Sequence, residues 1–314
     1  MPIRSNRNLT EYYDRFSTSG AGGPEKVLAS SWYGDRGVTA GGYGSNTNII
    51  DYIDITSTGN ATDFGDLPQD TRAAAPASNR SRGLFMGGRS ASPGPDTQVN
   101  YITIGTAGNA SDFGDTTTNA GKGYAAGASN KIRALVAGGN GVSGTDDIEY
   151  FTIATTGNGT DLADLSESRY GLAGCSNGTR AVFGGGKSSK NTIDYKNFET
   201  ANAVNFGNLN YGRGYIGAAQ SDPAGRGIFS GGNGNAGIDY ITIASDSNAS
   251  DFGDATGNET ATGCTSNATR GIIAGNYNPD TNVINYITIA STGNATDFGD
   301  LTRNGGYVGA TSGD

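Results

Sequence analysis

Five pairs of carboxylates recur at one spacing: Asp63 and Asp66, Asp112 and Asp115, Asp161 and Asp164, Asp251 and Asp254, Asp297 and Asp300. In four of the five the pair brackets Phe-Gly. Paired carboxylate oxygens suit a hard cation such as calcium, but no Asp-x-Asp-x-Asp-Gly loop surrounds them. The expectation is therefore aspartates that cap turns and bond to backbone amides, with the phenylalanine between them buried. An arginine also recurs once per unit, at Arg36, Arg82, Arg133, Arg180, Arg226 and Arg270. Six such cations in a ring could hold an anion; the simpler expectation is that each opens a strand and pairs with nearby aspartates or carbonyls. Asn60, Asn109, Asn158, Asn248 and Asn294 each begin an Asn-x-Ser/Thr triplet. They fall at one turn of the unit, where asparagine suits the left-handed backbone region, so they read as turn residues rather than glycan acceptors. The chain contains no histidine, which removes the commonest general base and metal ligand and any Ser-His-Asp or Cys-His arrangement. Cys175 and Cys264 occupy one repeat position two units apart and read as small buried hydrophobes. No catalytic residue, cofactor or metal ligand is expected, and the chain reads as non-enzymatic.

These groups are positioned by a repeat. Its marker is a tyrosine in the third strand-like run: Tyr52, Tyr101, Tyr150, Tyr195, Tyr240 and Tyr286, at intervals of 49, 49, 45, 45 and 46 residues. A period of this length built from short strands indicates a propeller. Composition agrees, with 34% hydrophobic residues and 53 glycines, which suits many short strands and tight turns. In the unit spanning 169 to 209, the four runs are 170–176, 180–184, 192–198 and 205–209. The first is small-residue rich and belongs innermost. The second ends in the glycine pair Gly185-Gly186, which recurs in five of six units and permits positive φ. In the sixth, Asn276 replaces the second glycine and still suits the left-handed region. The repeat begins at a second run (32–37) and ends after a first run (306–312), so the blade containing Val38 is completed by the segment containing Val308. The expected fold is all-β: a six-bladed β-propeller of four-stranded antiparallel blades, closed by pairing of its N- and C-terminal segments, with an N-terminal extended arm.

Residues 31–314 form that propeller in this reading, and residues 1–30 form a docking arm and linker. The arm carries Arg4, Arg7, Leu9, Tyr12, Tyr13 and Phe16, followed by a Ser/Gly-rich linker. A net charge of −9 disfavours nucleic acid. No apolar run approaches the ~18 residues of a membrane span, so no membrane insertion is expected.

The segments Arg169-Tyr170-Gly171-Leu172-Ala173, Val182-Phe183-Gly184-Gly185-Gly186 and Ile193-Asp194-Tyr195 resemble the kelch repeat. The usual kelch tryptophan near the fourth strand is replaced by Phe64, Phe113, Leu162, Phe206, Phe252 and Phe298. The wording of the unit, Tyr-Ile-Thr-Ile-Ala-Ser-Thr-Gly-Asn-Ala-Thr-Asp-Phe-Gly-Asp-Leu, is also similar to repeats in virion proteins of tailed phages of aquatic bacteria. That resemblance implies a structural or interaction component of a phage particle, in the tail, a fibre or the capsid surface. Its arm would anchor it to other virion proteins. Its divergent loops (89–98, 140–147 and 277–282) would face a neighbouring protein, a host-surface glycan or a receptor. The alternative expectation is a secreted glycan-binding or glycan-cleaving propeller.

Overall fold

A computed structural model describes residues 33–44, 48–90, 94–117, 121–140, 143–199, 202–220 and 225–314. The docking-arm residues Arg4, Arg7, Leu9, Tyr12, Tyr13 and Phe16 lie outside the described residues.

Twenty-four strands form six four-stranded antiparallel sheets. The first blade contains β1 (Arg36–Ala40), β2 (Ile49–Asp54) and β3 (Thr62–Asp66). The second contains β4 (Ala75–Ser78), β5 (Arg82–Met86), β6 (Gln98–Thr103) and β7 (Ser111–Asp115). The third contains β8 (Ala126–Ser129), β9 (Arg133–Ala137), β10 (Thr145–Thr152) and β11 (Thr160–Arg169). The fourth contains β12 (Ala173–Ser176), β13 (Arg180–Gly186), β14 (Lys190–Asn197) and β15 (Val204–Asn208). The fifth contains β16 (Gly217–Gln220), β17 (Arg226–Ser230), β18 (Asn235–Thr242) and β19 (Ser250–Glu259). The sixth contains β20 (Gly263–Ser266), β21 (Arg270–Tyr277), β22 (Asp280–Thr288) and β23 (Thr296–Asp300). Last in the chain, β24 (Gly309–Gly313) pairs antiparallel with β1 and closes the ring.

In that closing pair Val38 faces Thr311, while Val308 lies just before β24. Val308 Cγ1 is 3.1 Å from where a Cβ on Gly42 would sit. The innermost strands β24, β4, β8, β12, β16 and β20 contact one another in a closed ring around the axis.

The core lies between blades rather than on the axis. Each of the six apolar clusters draws on two successive blades. Strand β5 shows the sequence logic. Leu84 and Met86 face the third blade, whereas Phe85 faces the first. Alternation thus presents apolar residues on both faces of a doubly covered strand. Many thin layers need only short runs of large residues, so a glycine-rich chain still buries its hydrophobes.

The recurrent Asp-Phe-Gly-Asp is a β-bulge. In blade 5, Ile238 pairs with Gly253 and Asp239 with Asp251, leaving Phe252 as the extra residue on its strand. The same shift occurs in the other five blades. It turns the phenylalanine into the interblade core, where Phe252 is buried and meets Tyr240 edge-to-face at 6.0 Å. A Cβ on Gly253 would lie 2.5 Å from the carbonyl oxygen of Gly293 in the next blade, and its φ of 144° excludes other side chains.

Two local expectations are corrected. Asn276 has no positive φ; it continues β21 and pairs with Thr281, and its side chain takes over local bonding by donating to Asn258 O at 2.9 Å and accepting from Thr260 N at 2.7 Å. The first run of blade 4 is extended only from Ala173, because Gly171 has a left-handed φ of 69°.

Candidate functional site

Most residues whose chemistry recurs in the sequence are used at the seams between blades. The strand-opening arginine of each blade lies over the tyrosine of its own third strand. Guanidinium-to-ring distances are 4.9 Å for Arg36–Tyr52, 4.4 Å for Arg82–Tyr101 and 4.6 Å for Arg133–Tyr150. They are 4.1 Å for Arg180–Tyr195, 4.7 Å for Arg226–Tyr240 and 4.7 Å for Arg270–Tyr286. The same arginine donates Nη1–H to a carbonyl of the next blade: Ile104, Ile153, Phe198, Ile243, Ile289 and, across the closure, Ile55, at 2.9 to 3.3 Å. Each arginine is thus a stacked cation whose hydrogens bind two blades together.

At the outer rim the asparagine turns form a second fastening. Asn109 Oδ1 accepts the backbone N–H of Asp66 in the preceding blade at 3.0 Å. Asn60, Asn158, Asn202, Asn248 and Asn294 repeat this contact around the ring. The roles expected of the aspartates are therefore reversed: their backbone amides are the donors, and asparagine side chains do the capping. Among the described residues no group of three His, Cys, Asp or Glu is placed to hold a metal.

A third fastening is buried. In five of the six blades the residue before the third-strand tyrosine faces a residue from the segment leaving the preceding blade. Four such pairs are ionic: Arg169–Asp194 at 2.6 Å, Arg213–Asp239 at 2.9 Å, Arg303–Asp51 at 2.8 Å and Lys122–Glu149 at 3.6 Å, with Lys122 also on Asp147. Neighbouring side chains complete the carboxylates: Ser166 bonds to Asp194, Asn210 to Asp239 and Thr302 to Asp51. Burial pushes Asp51 up from its ordinary value and Arg303 down, so desolvation outweighs the attraction between them. At the seam between blades 5 and 6 the pattern changes. Glu259 occupies the cation's position and faces Asn285 at 3.5 Å and Ser230 Oγ at 3.0 Å. Burial pushes its carboxyl up to about 7, against the opposing pull of those bonds and Arg213.

The free chemistry gathers at one mouth of the axis. The residues leading into the six inner strands are Ala73, Tyr124, Gly171, Tyr215, Ala261 and Tyr307, all with φ between 55° and 69°. Their backbones form a closed circuit. Ala73 N–H donates to Tyr307 O (2.7 Å), Tyr124 to Ala73 (3.2 Å) and Gly171 to Tyr124 (2.8 Å). Tyr215 donates to Gly171 (2.7 Å), Ala261 to Tyr215 (2.8 Å) and Tyr307 to Ala261 (2.5 Å). Each of the five non-glycine left-handed residues costs about 1–2 kcal/mol and each hydrogen bond returns about 1 kcal/mol, so the circuit offsets much of its own strain.

Large and small side chains alternate around this circuit, giving the sixfold ring a threefold mouth. Tyr124, Tyr215 and Tyr307 meet edge-to-face at 5.3, 5.4 and 5.5 Å and cap the axis. Tyr170 joins at Tyr215, and Tyr277 and Tyr43 join at Tyr307. Burial and the neighbouring Tyr170 and Tyr124 push the Tyr215 phenol up to about 12, so it remains a neutral donor. Below the cap a narrow cavity of about 90 Å³ runs between small side chains such as Ala74, Ala126 and Ala173. Ser78, Ser176 and Ser312 fasten the far end by donating to Ser312 O, Ser129 O and Ser266 O.

The structure places Tyr52, Tyr101, Tyr150, Tyr195, Tyr240 and Tyr286 under the seam arginines and Val38 in the closing blade. The described parts of loops 89–98, 140–147 and 277–282 connect second to third strands, at the end of the blades where the tyrosines cap the axis. Sequence reasoning missed the capping tyrosines. Their signal is the alternation of Gly123-Tyr124, Gly214-Tyr215 and Gly306-Tyr307 with Arg72-Ala73, Tyr170-Gly171 and Thr260-Ala261. No known protein-family model matches the chain, and no curated protein sequence matches it.

Proposed function

We propose that the protein is a non-enzymatic structural and interaction component of a phage particle. Residues 1–30 anchor it to other virion proteins, and the loop face of the propeller is turned outward. One observation carries the interaction part. The tyrosines most exposed among the described residues, Tyr43, Tyr211 and Tyr277, all lie in connections or at a strand end on the tyrosine-capped side, whereas the repeated arginines, asparagines and buried carboxylates are used between blades. Exposed tyrosine beside arginine is the composition of contact surfaces. The particle part is supported by the wording of the repeat unit and by the basic, aromatic composition of the arm.

The test is to delete residues 1–25 and follow the chain into purified particles by quantitative mass spectrometry. The truncated propeller is expected to fold with an unchanged melting temperature and to be lost from particles. Normal incorporation of the truncated chain overturns the anchoring role, and absence of the full-length chain from particles overturns the particle reading. A glycan-binding role is the second reading, favoured by the cations beside the tyrosines.

A further inference from the structure

The backbones of Arg72 and Arg89 form an isolated antiparallel bridge, with Arg72 N–H on Arg89 O at 3.0 Å and Arg89 N–H on Arg72 O at 2.8 Å. The bridge sets the two arginines opposite each other, and both line one cleft. Arg72 lies over Tyr43 at 4.9 Å, and Arg89 over Tyr124 at 5.8 Å. Lys187 stands over Tyr215 at 5.0 Å. Among the described residues none of these three cations makes an ion pair, whereas Lys122, Arg169, Arg213 and Arg303 at the seams all do. Arg72 Nε is buried without an acceptor.

The acids nearby make no ion pair with either arginine among the described residues, although Arg89 attracts the Asp96 carboxylate. Asp96 is bonded to Ser90 at 3.0 Å, and burial pushes its carboxyl up. Asp70 is exposed and lines the same cleft of about 290 Å³ as Tyr43, Arg72 and Arg89. Both arginines line this cleft without an ion pair among the described residues, and a bound anion supplies the missing partner. Cations without ion pairs lining a cleft suit an anionic ligand.

The surrounding groups select the kind of anion. The circuit from Ala73 to Tyr307 uses the main-chain donors and acceptors around the axis, so a peptide backbone finds no strand edge to extend. Among the described residues, the side chains lining the cleft are Tyr43, Asp70, Arg72, Arg89 and Ser90, none of them an aliphatic group that would receive a peptide side chain. The face offers tyrosine rings and hydroxyls, with Tyr43 and Tyr277 exposed and perpendicular at 4.9 Å, forming a corner beside Arg72. Three cations are too few for a polynucleotide, whose affinity grows with the number of phosphates neutralised.

We propose that the tyrosine-lined mouth around the Arg72–Arg89 bridge binds an acidic saccharide. Its carboxylates meet the two guanidiniums and Lys187, and its sugar rings lie against Tyr43 and Tyr277. The inference rests on reading the loop face as the contact surface and is independent of the particle assignment.

The test is calorimetric titration of the full chain at low salt with oligogalacturonate, with neutral dextran and with polyglutamate. Oligogalacturonate is expected to bind, and the other two to bind at least tenfold more weakly. Arg72→Ala/Arg89→Ala is expected to reduce affinity at least tenfold. Tyr277→Ala is expected to reduce it severalfold, in proteins whose unfolding curves confirm a folded propeller. Should either substitution perturb the fold, Lys187→Ala provides a second probe, with a severalfold loss expected. Absence of oligogalacturonate binding, equal binding of polyglutamate, or affinity unchanged in the folded variants overturns the proposal. A protein found in particles that binds no saccharide removes this inference and leaves the particle reading. One that binds saccharide but is missing from particles does the reverse.

Discussion

The seams and the mouth are made from the same residue types and use them in opposite ways. At a seam, an arginine stacked on a tyrosine also donates to the neighbouring blade, as Arg226 does over Tyr240 and onto Ile289 O at 2.9 Å. At the mouth, Arg89 is stacked over Tyr124 with no ion pair among the described residues. The seam contacts recur in all six blades, whereas the mouth follows a threefold alternation with further tyrosines on one side. Chemistry that follows the repeat belongs to ring closure, and chemistry that departs from it marks what the ring presents to the outside.

This contrast can be broken at a buried seam first. Arg213→Ala leaves Asp239 buried with only Asn210 for company, and breaking such a pair costs about 3–5 kcal/mol. Urea unfolding is expected to show a loss of that size; a change under ~1 kcal/mol would mean that blades 4 and 5 do not depend on the pair. The Glu259 seam sharpens the contrast through pH. Its carboxyl has an ordinary value of 4.5 when unfolded and is raised to about 7 in the fold. The folded protein therefore holds the proton more tightly, so the stability contributed by this group is full below pH 4.5, is lost as pH rises through 4.5 to 7, and then levels off. Glu259→Gln removes that titration. Relative to the native chain it is expected to gain about 3 kcal/mol at pH 8 and almost nothing at pH 4.5. A difference independent of pH would show that Glu259 is not held uncharged by burial.

The sixfold ring is legible in the sequence because it rests on local, repeated signals: the tyrosine period, the glycine pairs and the phase offset of the two ends. Interblade contacts are less legible, since they join positions about 40 residues or more apart, such as Asn109 to Asp66 and Asn248 to Asn208. For the same reason Asp-Phe-Gly-Asp suggests turn-capping aspartates, although the physical demand is for a bulged phenylalanine and a glycine that admits the next blade. The matching of Asp51, Asp194 and Asp239 with a basic residue, and of Asn285 with Glu259, becomes visible only once the blades are aligned. The mouth is hardest to read because its tyrosines are far apart in sequence. Tyr43 and Tyr277 meet only after the ring has closed.

The distinction between fastening and presented cations is tested most directly by the unfolding free energy of Arg89→Ala/Lys187→Ala. Both cations lie over tyrosine rings, a contact that contributes about 0.5–1 kcal/mol at an exposed site. The double variant is expected to lose no more than about 2 kcal/mol and to retain the cooperative transition of the native propeller. A loss as large as that of Arg213→Ala would place these cations among the fasteners and contradict the account.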